Sequence, residues 1–163
     1  MNKKAERNFI KADKYLELNK LKKALKYFLK AEFIEKGYCS LNVGYTYDRY
    51  AWKVGNKYRK KAKQWYEDTI ANNDITGYAN LGCMYREAYK FKKSKKMFKI
   101  AIEKGDNEVV LELAKLYLME GKIKKAIKLL KIFKGNRLEL NISEGGQEDA
   151  IKLLRKIQKD MYN

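Results

Sequence analysis

A small residue followed three positions later by a tyrosine occurs four times in this chain, as Ala12/Tyr15, Gly44/Tyr47, Gly82/Tyr85 and Ala114/Tyr117. The tyrosines are separated by 32, 38 and 32 residues. A second small residue follows each of them, at Ala24, Ala62, Ser94 and Ala126, after gaps of 9, 15, 9 and 9. Four positions further on comes a large residue: Phe28, Tyr66, Phe98 and Leu130. One insertion of six residues in the second unit accounts for both irregular numbers. A period of this kind is the signature of a repeat architecture, in which each unit buries its apolar face only by stacking on the next.

The stretch "YLMEGKIKKAIKLLKIFKG" (Tyr117 to Gly135) shows what one unit is made of. Ile123, Ala126, Ile127, Leu130 and Phe133 fall on one stripe of a helix, and Lys124, Lys125, Lys128 and Lys131 take the other face. Gly121 sits where a left-handed residue would end the preceding helix and turn the chain back. Each unit therefore reads as a helix hairpin. The small residues let its two helices approach closely, and the large ones fill the gap beside them. The chain contains no proline, as suits an almost wholly helical protein.

The spacing predicts repeats over about residues 5–37, 38–73, 74–105 and 106–135, with a C-terminal cap over 136–163, all within one all-α domain (1–163). Ala150, Leu153, Leu154 and Ile157 repeat the second-helix pattern, so a helix is expected from about Gln147 to Met161. "GNRLELNISEGG" (Gly135 to Gly146) fits a short helix or a loop, broken by Gly145-Gly146. Nine or ten helices and no sheet are expected.

Length and composition narrow the class. With 163 residues and a 45% hydrophobic fraction, the chain can bury a continuous core. No apolar run approaches the roughly 18 residues of a membrane span. The N-terminal "MNKKAERNFIKAD" has basic residues but no apolar stretch, which argues against a signal peptide. Cys39 and Cys83 are too few and too far apart for a disulfide framework or a paired metal motif. They read as half-buried free thiols, which favours a reducing cytoplasm.

Two segments carry a family resemblance. "ANLGCMY" (Ala79 to Tyr85) is similar to the first-helix motif of Sel1-like repeats, and "KAKQWY" (Lys61 to Tyr66) to their second-helix motif. "YLMEGKIKKAIKLL" resembles an ordinary tetratricopeptide turn. The likeness to tetratricopeptide and Sel1-like repeats covers roughly residues 5–135. It departs from them in lacking an L-G pair in the first repeat, in lacking their prolines and in its short 32-residue period. It implies a right-handed α-solenoid of four to five helix-turn-helix repeats, first helices concave and second helices convex. It also implies a non-enzymatic protein-binding role as adaptor, regulator or inhibitor, including immunity proteins for bacterial toxins.

The residues themselves offer no reaction. There is no histidine, so the commonest general base and metal ligand is missing, and neither cysteine nor serine has a histidine partner. No glycine-rich phosphate loop occurs. The acidic pairs Glu32/Glu35 and Glu67/Asp68 fall on lysine-rich faces and read as solvated partners for lysine. No enzyme, cofactor or metal is expected.

The net charge of +18 is concentrated. Residues 20–36, 57–70, 90–106 and 122–134 carry +4, +3, +5 and +6, and the remaining segments balance to zero. The second helices and their turns thus hold all of it, and the first helices are nearly neutral. Lys92, Lys95, Lys99, Lys124, Lys128 and Lys131 form the expected basic face. By resemblance, the groove lies on the first helices, where Tyr45, Asp48, Arg49, Arg86 and Glu87 project off the packed stripe. The insertion, within "DRYAWKVGNKYR", is expected to add Trp52 on an exposed loop at the rim or against its own repeat. Tyrosine and arginine are enriched in binding hot spots. The expected partner is another protein or peptide with an acidic surface. The alternative is a nucleic acid held by the lysines, against which stands their identity: 32 of the 38 basic residues are lysine rather than arginine.

Overall fold

Three of the four predicted hairpins turn in one way. Lys20, Lys90 and Lys122 donate their backbone N–H to the carbonyls of Tyr15, Tyr85 and Tyr117, each at 2.8 Å. Between them Asn19, Tyr89 and Gly121 adopt φ of 54°, 56° and 71° and donate to Leu16, Arg86 and Leu118 at 2.9 Å. This pair of bonds closes a helix C-terminus and reverses the chain. The tyrosine that marks the repeat is thus the residue whose carbonyl accepts the closing bond.

The computed structural model describes residues 2–135 and 142–162. Among the described residues there are nine helices and no strand: α1 (Lys3–Glu17), α2 (Leu21–Ile34), α3 (Ser40–Val54), α4 (Lys57–Ala71), α5 (Thr76–Glu87), α6 (Phe91–Glu103), α7 (Val109–Met119), α8 (Ile123–Gly135) and α9 (Glu144–Tyr162). The predicted repeats thus hold α1–α2, α3–α4, α5–α6 and α7–α8. The capping helix starts three residues earlier than expected. Residues 136–141, expected as a short helix or loop, lie outside the described residues.

The chain forms two compact units, Met1–Leu81 and Gly82–Asn163, with the boundary inside α5. In the N-terminal unit α1 pairs with α2, α3 with α4, and α2 packs on α3. The small residues Ala12, Ala24 and Ala62 have no exposed surface, and Phe28 and Tyr66 fill the space beside them. Gly44 shows why the spacing matters: a Cβ there would stand 2.8 Å from the Tyr66 ring. Asn2 caps α1, its side chain accepting from Lys4 N–H at 2.9 Å.

Glu32 corrects the sequence reading. It is a buried residue, not a solvated partner of lysine. Its carboxylate accepts the Gly37 and Cys39 N–H groups at 2.7 and 2.9 Å and the Ser40 hydroxyl at 2.7 Å. It therefore ties the end of α2 to the turn that leads into α3, beside a helix N-terminus whose dipole favours an anion. Glu35 likewise accepts the Asn2 N–H at 2.7 Å. Glu67 does pair with Lys63, at 2.5 Å one helical turn away.

In the C-terminal unit α6 packs on α7, α7 on α8, and α9 on α8 and α7. Leu130 and Phe133 of α8 meet Ala150, Leu154 and Ile157 of α9 in one buried cluster. Gly82 lies so close to the Phe98 ring that any Cβ would overlap it. Ser94 and Ala126 are fully buried at the second small positions.

The insertion is not a loop. α3 runs seven residues past Tyr47, whereas α1, α5 and α7 run two past their tyrosines. α4 likewise begins five residues before its small residue rather than three. The six extra residues lengthen the hairpin, and Trp52 stands on helix α3.

Candidate partner-binding surface

Four of the predicted contact residues share α3 in the N-terminal unit. Tyr45, Arg49 and Trp52 recur at helical spacing, so they project from one side of it. Tyr45 and Trp52 are 43% and 64% exposed, unusual for such large rings. Each is covered by a guanidinium: Arg49 lies 5.7 Å from the Tyr45 ring centre and Arg59 lies 5.3 Å from that of Trp52. Asp48 stands between, 4.0 Å from Arg59. Arg49 also donates to the Asn19 side chain at 3.2 Å. Arg59 is the member that spacing alone did not reveal. It comes within reach because the insertion brings the first turn of α4 back beside α3.

Arg86 and Glu87 lie on α5 in the C-terminal unit and are half-buried. Arg86 is committed within that unit. Its guanidinium pairs with the Glu112 carboxylate and donates to the Glu112 carbonyl at 3.3 Å. The same group lies 6.0 Å from the centre of the Phe98 ring. Lys115 reaches Glu112 at 2.5 Å, and the Cys83 thiol approaches it at 3.5 Å. Burial pushes the Glu112 carboxyl up, but the hydrogen bonds from Lys115 and Arg86 outweigh it and hold the carboxyl below its usual range.

The expected basic face divides in two. Lys92, Lys99, Lys124, Lys128 and Lys131 are exposed. Lys95 is turned inward: its ammonium lies 3.1 Å from the Glu120 carboxylate and 5.3 Å from the centre of the Tyr117 ring. Other lysines also do structural work. Lys23, Lys61 and Lys93, each just before the second small residue, cover Tyr15, Tyr47 and Tyr85 at 5.5, 5.5 and 5.8 Å. The marker tyrosines are thus capped by ammonium groups, and of the four only Tyr47 is buried. The Lys-small dipeptide was the signal for this in the sequence.

Cys39 is buried and Cys83 half-buried, and both are free thiols. Burial first, then Glu32 beside Cys39 and Glu112 beside Cys83, push both thiols up to about 12. Such thiols are poor nucleophiles. No cluster of three metal-ligating side chains occurs among the described residues, and no described helix is long and apolar enough to cross a membrane.

No protein-family model matches the sequence, and no curated protein matches it. Solved structures do match the fold. A putative kinesin light chain from Podosopora anserina, built of nearly identical TPR-like repeats, is 11% identical, with a TM-score of 0.64 and 99% of each chain covered. A single-substitution variant of the same protein gives the same values. At that identity the likeness speaks for architecture alone: the chain has the all-helical fold of tetratricopeptide-like repeats, as the resemblance of its motifs implied.

Proposed function

We propose that this chain is a non-enzymatic module that binds another protein. Tyr45, Asp48, Arg49 and Trp52 of α3 form the contact in the N-terminal unit, and Glu87 adds one in the C-terminal unit. The carrying observation is the exposed strip of two aromatic rings, each topped by an arginine. Tyrosine, tryptophan and arginine supply large contact area at low entropic cost, and a few such residues dominate binding energy. Arg86 is left out of the contact set because Glu112 already holds it. The surrounding positive charge suits an acidic partner and acts mainly on encounter rate. Such a module can serve as adaptor, regulator or inhibitor, and a toxin gene adjoining its own would favour the immunity role. The test is affinity capture with the native chain and with Tyr45→Ala/Trp52→Ala. A partner retained by the first and lost by the second supports the reading; equal retention overturns it.

The five exposed lysines of α6 and α8 favour a second reading, attraction of a nucleic acid by counterion release. Nuclease treatment before capture separates the two, since only the second depends on nucleic acid.

A further inference from the structure

The lengthened hairpin walls a groove against the α1–α2 turn. Tyr50, Lys53 and Val54 all belong to the extra length of α3. They face the α1–α2 turn, where Lys20, Leu21, Lys22 and Lys23 complete the wall. Four lysines therefore converge on one groove, and no acidic residue lines it. Among the described residues none of these four ammonium groups has a carboxylate within ion-pair distance; Lys23 instead lies over the Tyr15 ring. Beneath them lie Leu21, which is buried, Tyr50 and the aliphatic Val54, which is 48% exposed.

We propose that this groove docks an acidic protein segment carrying an aliphatic side chain between its carboxylates. These lysines have no carboxylate paired with them, so the carboxylates of a ligand can supply one while their attraction steers the encounter. The apolar floor chooses among anions. A leucine-sized side chain can cover the exposed Val54, whereas a phosphate group has nothing apolar to place there. The proposal extends the protein-binding reading to a second, adjoining surface: the insertion supplies Lys53 and the exposed Val54, and the α1–α2 turn with the start of α2 supplies the other three charges.

The experiment titrates the full chain into a fluorescein-labelled Glu-Glu-Leu-Glu-Glu peptide and reads polarisation at about 50 mM salt, where surface charge is little screened. Lys22→Glu/Lys53→Glu should weaken binding at least about tenfold, and Val54→Ser should weaken it several-fold. Lys124→Glu/Lys128→Glu makes the same change of charge on α8 and should alter affinity less than about twofold. Equal losses from the two charge reversals would overturn the proposal, since the peptide would then be reading net charge. So would a peptide with serine in place of leucine that binds as well, or a thymidine oligonucleotide that binds in the groove where the peptide does not. The probe is synthetic, so failure to capture a partner through Tyr45 and Trp52 leaves this result standing, and the reverse holds too.

Discussion

Arg86 and Glu112 tie α5 to α7: the guanidinium takes both the carboxylate and the backbone carbonyl of the same residue. The side chains are only 13% and 24% exposed, so removing one partner strands the other in a poorly hydrated place. Arg86→Ala should destabilise the fold by about 1–3 kcal/mol, below the full cost of a stranded charge because Lys115 still pairs with Glu112. The pH dependence follows from the depressed Glu112 carboxyl. A folded value below the unfolded one, about 4.3, means the stabilisation is complete above that value and is lost as pH falls through the folded value. Urea midpoints of the native chain should therefore fall more between about pH 5 and about pH 3 than those of Glu112→Gln. Parallel curves would show that the bridge contributes nothing.

Gly82 is the closest approach within the third hairpin. Gly82→Leu should cost about 1–3 kcal/mol, because the Phe98 ring it would displace has no free space to move into. Gly44→Ala should also destabilise, since its Cβ would press on the Tyr66 ring at 2.8 Å. Thermal melts of both variants check this, and unchanged midpoints would break the assignment of the small residues as helix contacts.

Tyr89 holds the left-handed turn position that Asn19 and Gly121 hold in their repeats. A bulky residue at φ 56° is strained by about 1–2 kcal/mol. The ring is 74% exposed and its main companion is Phe91, at 5.9 Å between centres, so little packing is lost with it. Tyr89→Gly is expected to raise stability by about 0.5–1 kcal/mol, the relief of strain less the lost ring contact. Denaturant titration measures it, and a loss of stability would show that the ring contributes more than its exposure suggests.

The two thiols should ignore a disulfide reagent in the folded state. Both are pushed up to about 12 and shielded, Cys39 more completely, its thiol donating to the Phe28 carbonyl at 3.3 Å. At about pH 8 the thiolate fraction is then negligible, so modification should track unfolding. Stoichiometric labelling of native protein within minutes would contradict this.

The repeat was legible in the sequence because hairpin formation is a local matter. The small residues, the large residue four positions on and the helix-ending turn all act within about thirty residues, and each leaves a fixed spacing. Gly44 against Tyr66 and Gly82 against Phe98 are the outcomes of that spacing. What the side chains do beyond their own stripe was not legible. Glu32 looks like any acid on a lysine-rich helix until α3 starts beside it, and then its carboxylate closes three hydrogen bonds. Lys95 is one of many lysines until Glu120 and Tyr117 draw it inward. Arg86 passes for a free hot-spot residue until α7 brings Glu112 to it. Even the insertion, visible as six residues, gave no sign that it would lengthen two helices and wall a groove with Lys53 and Val54. Period and polarity are properties of a segment and can be read from it alone. Whether a charge is solvated or spent depends on what a neighbouring helix places within about 4 Å of it, and only the packed chain decides that.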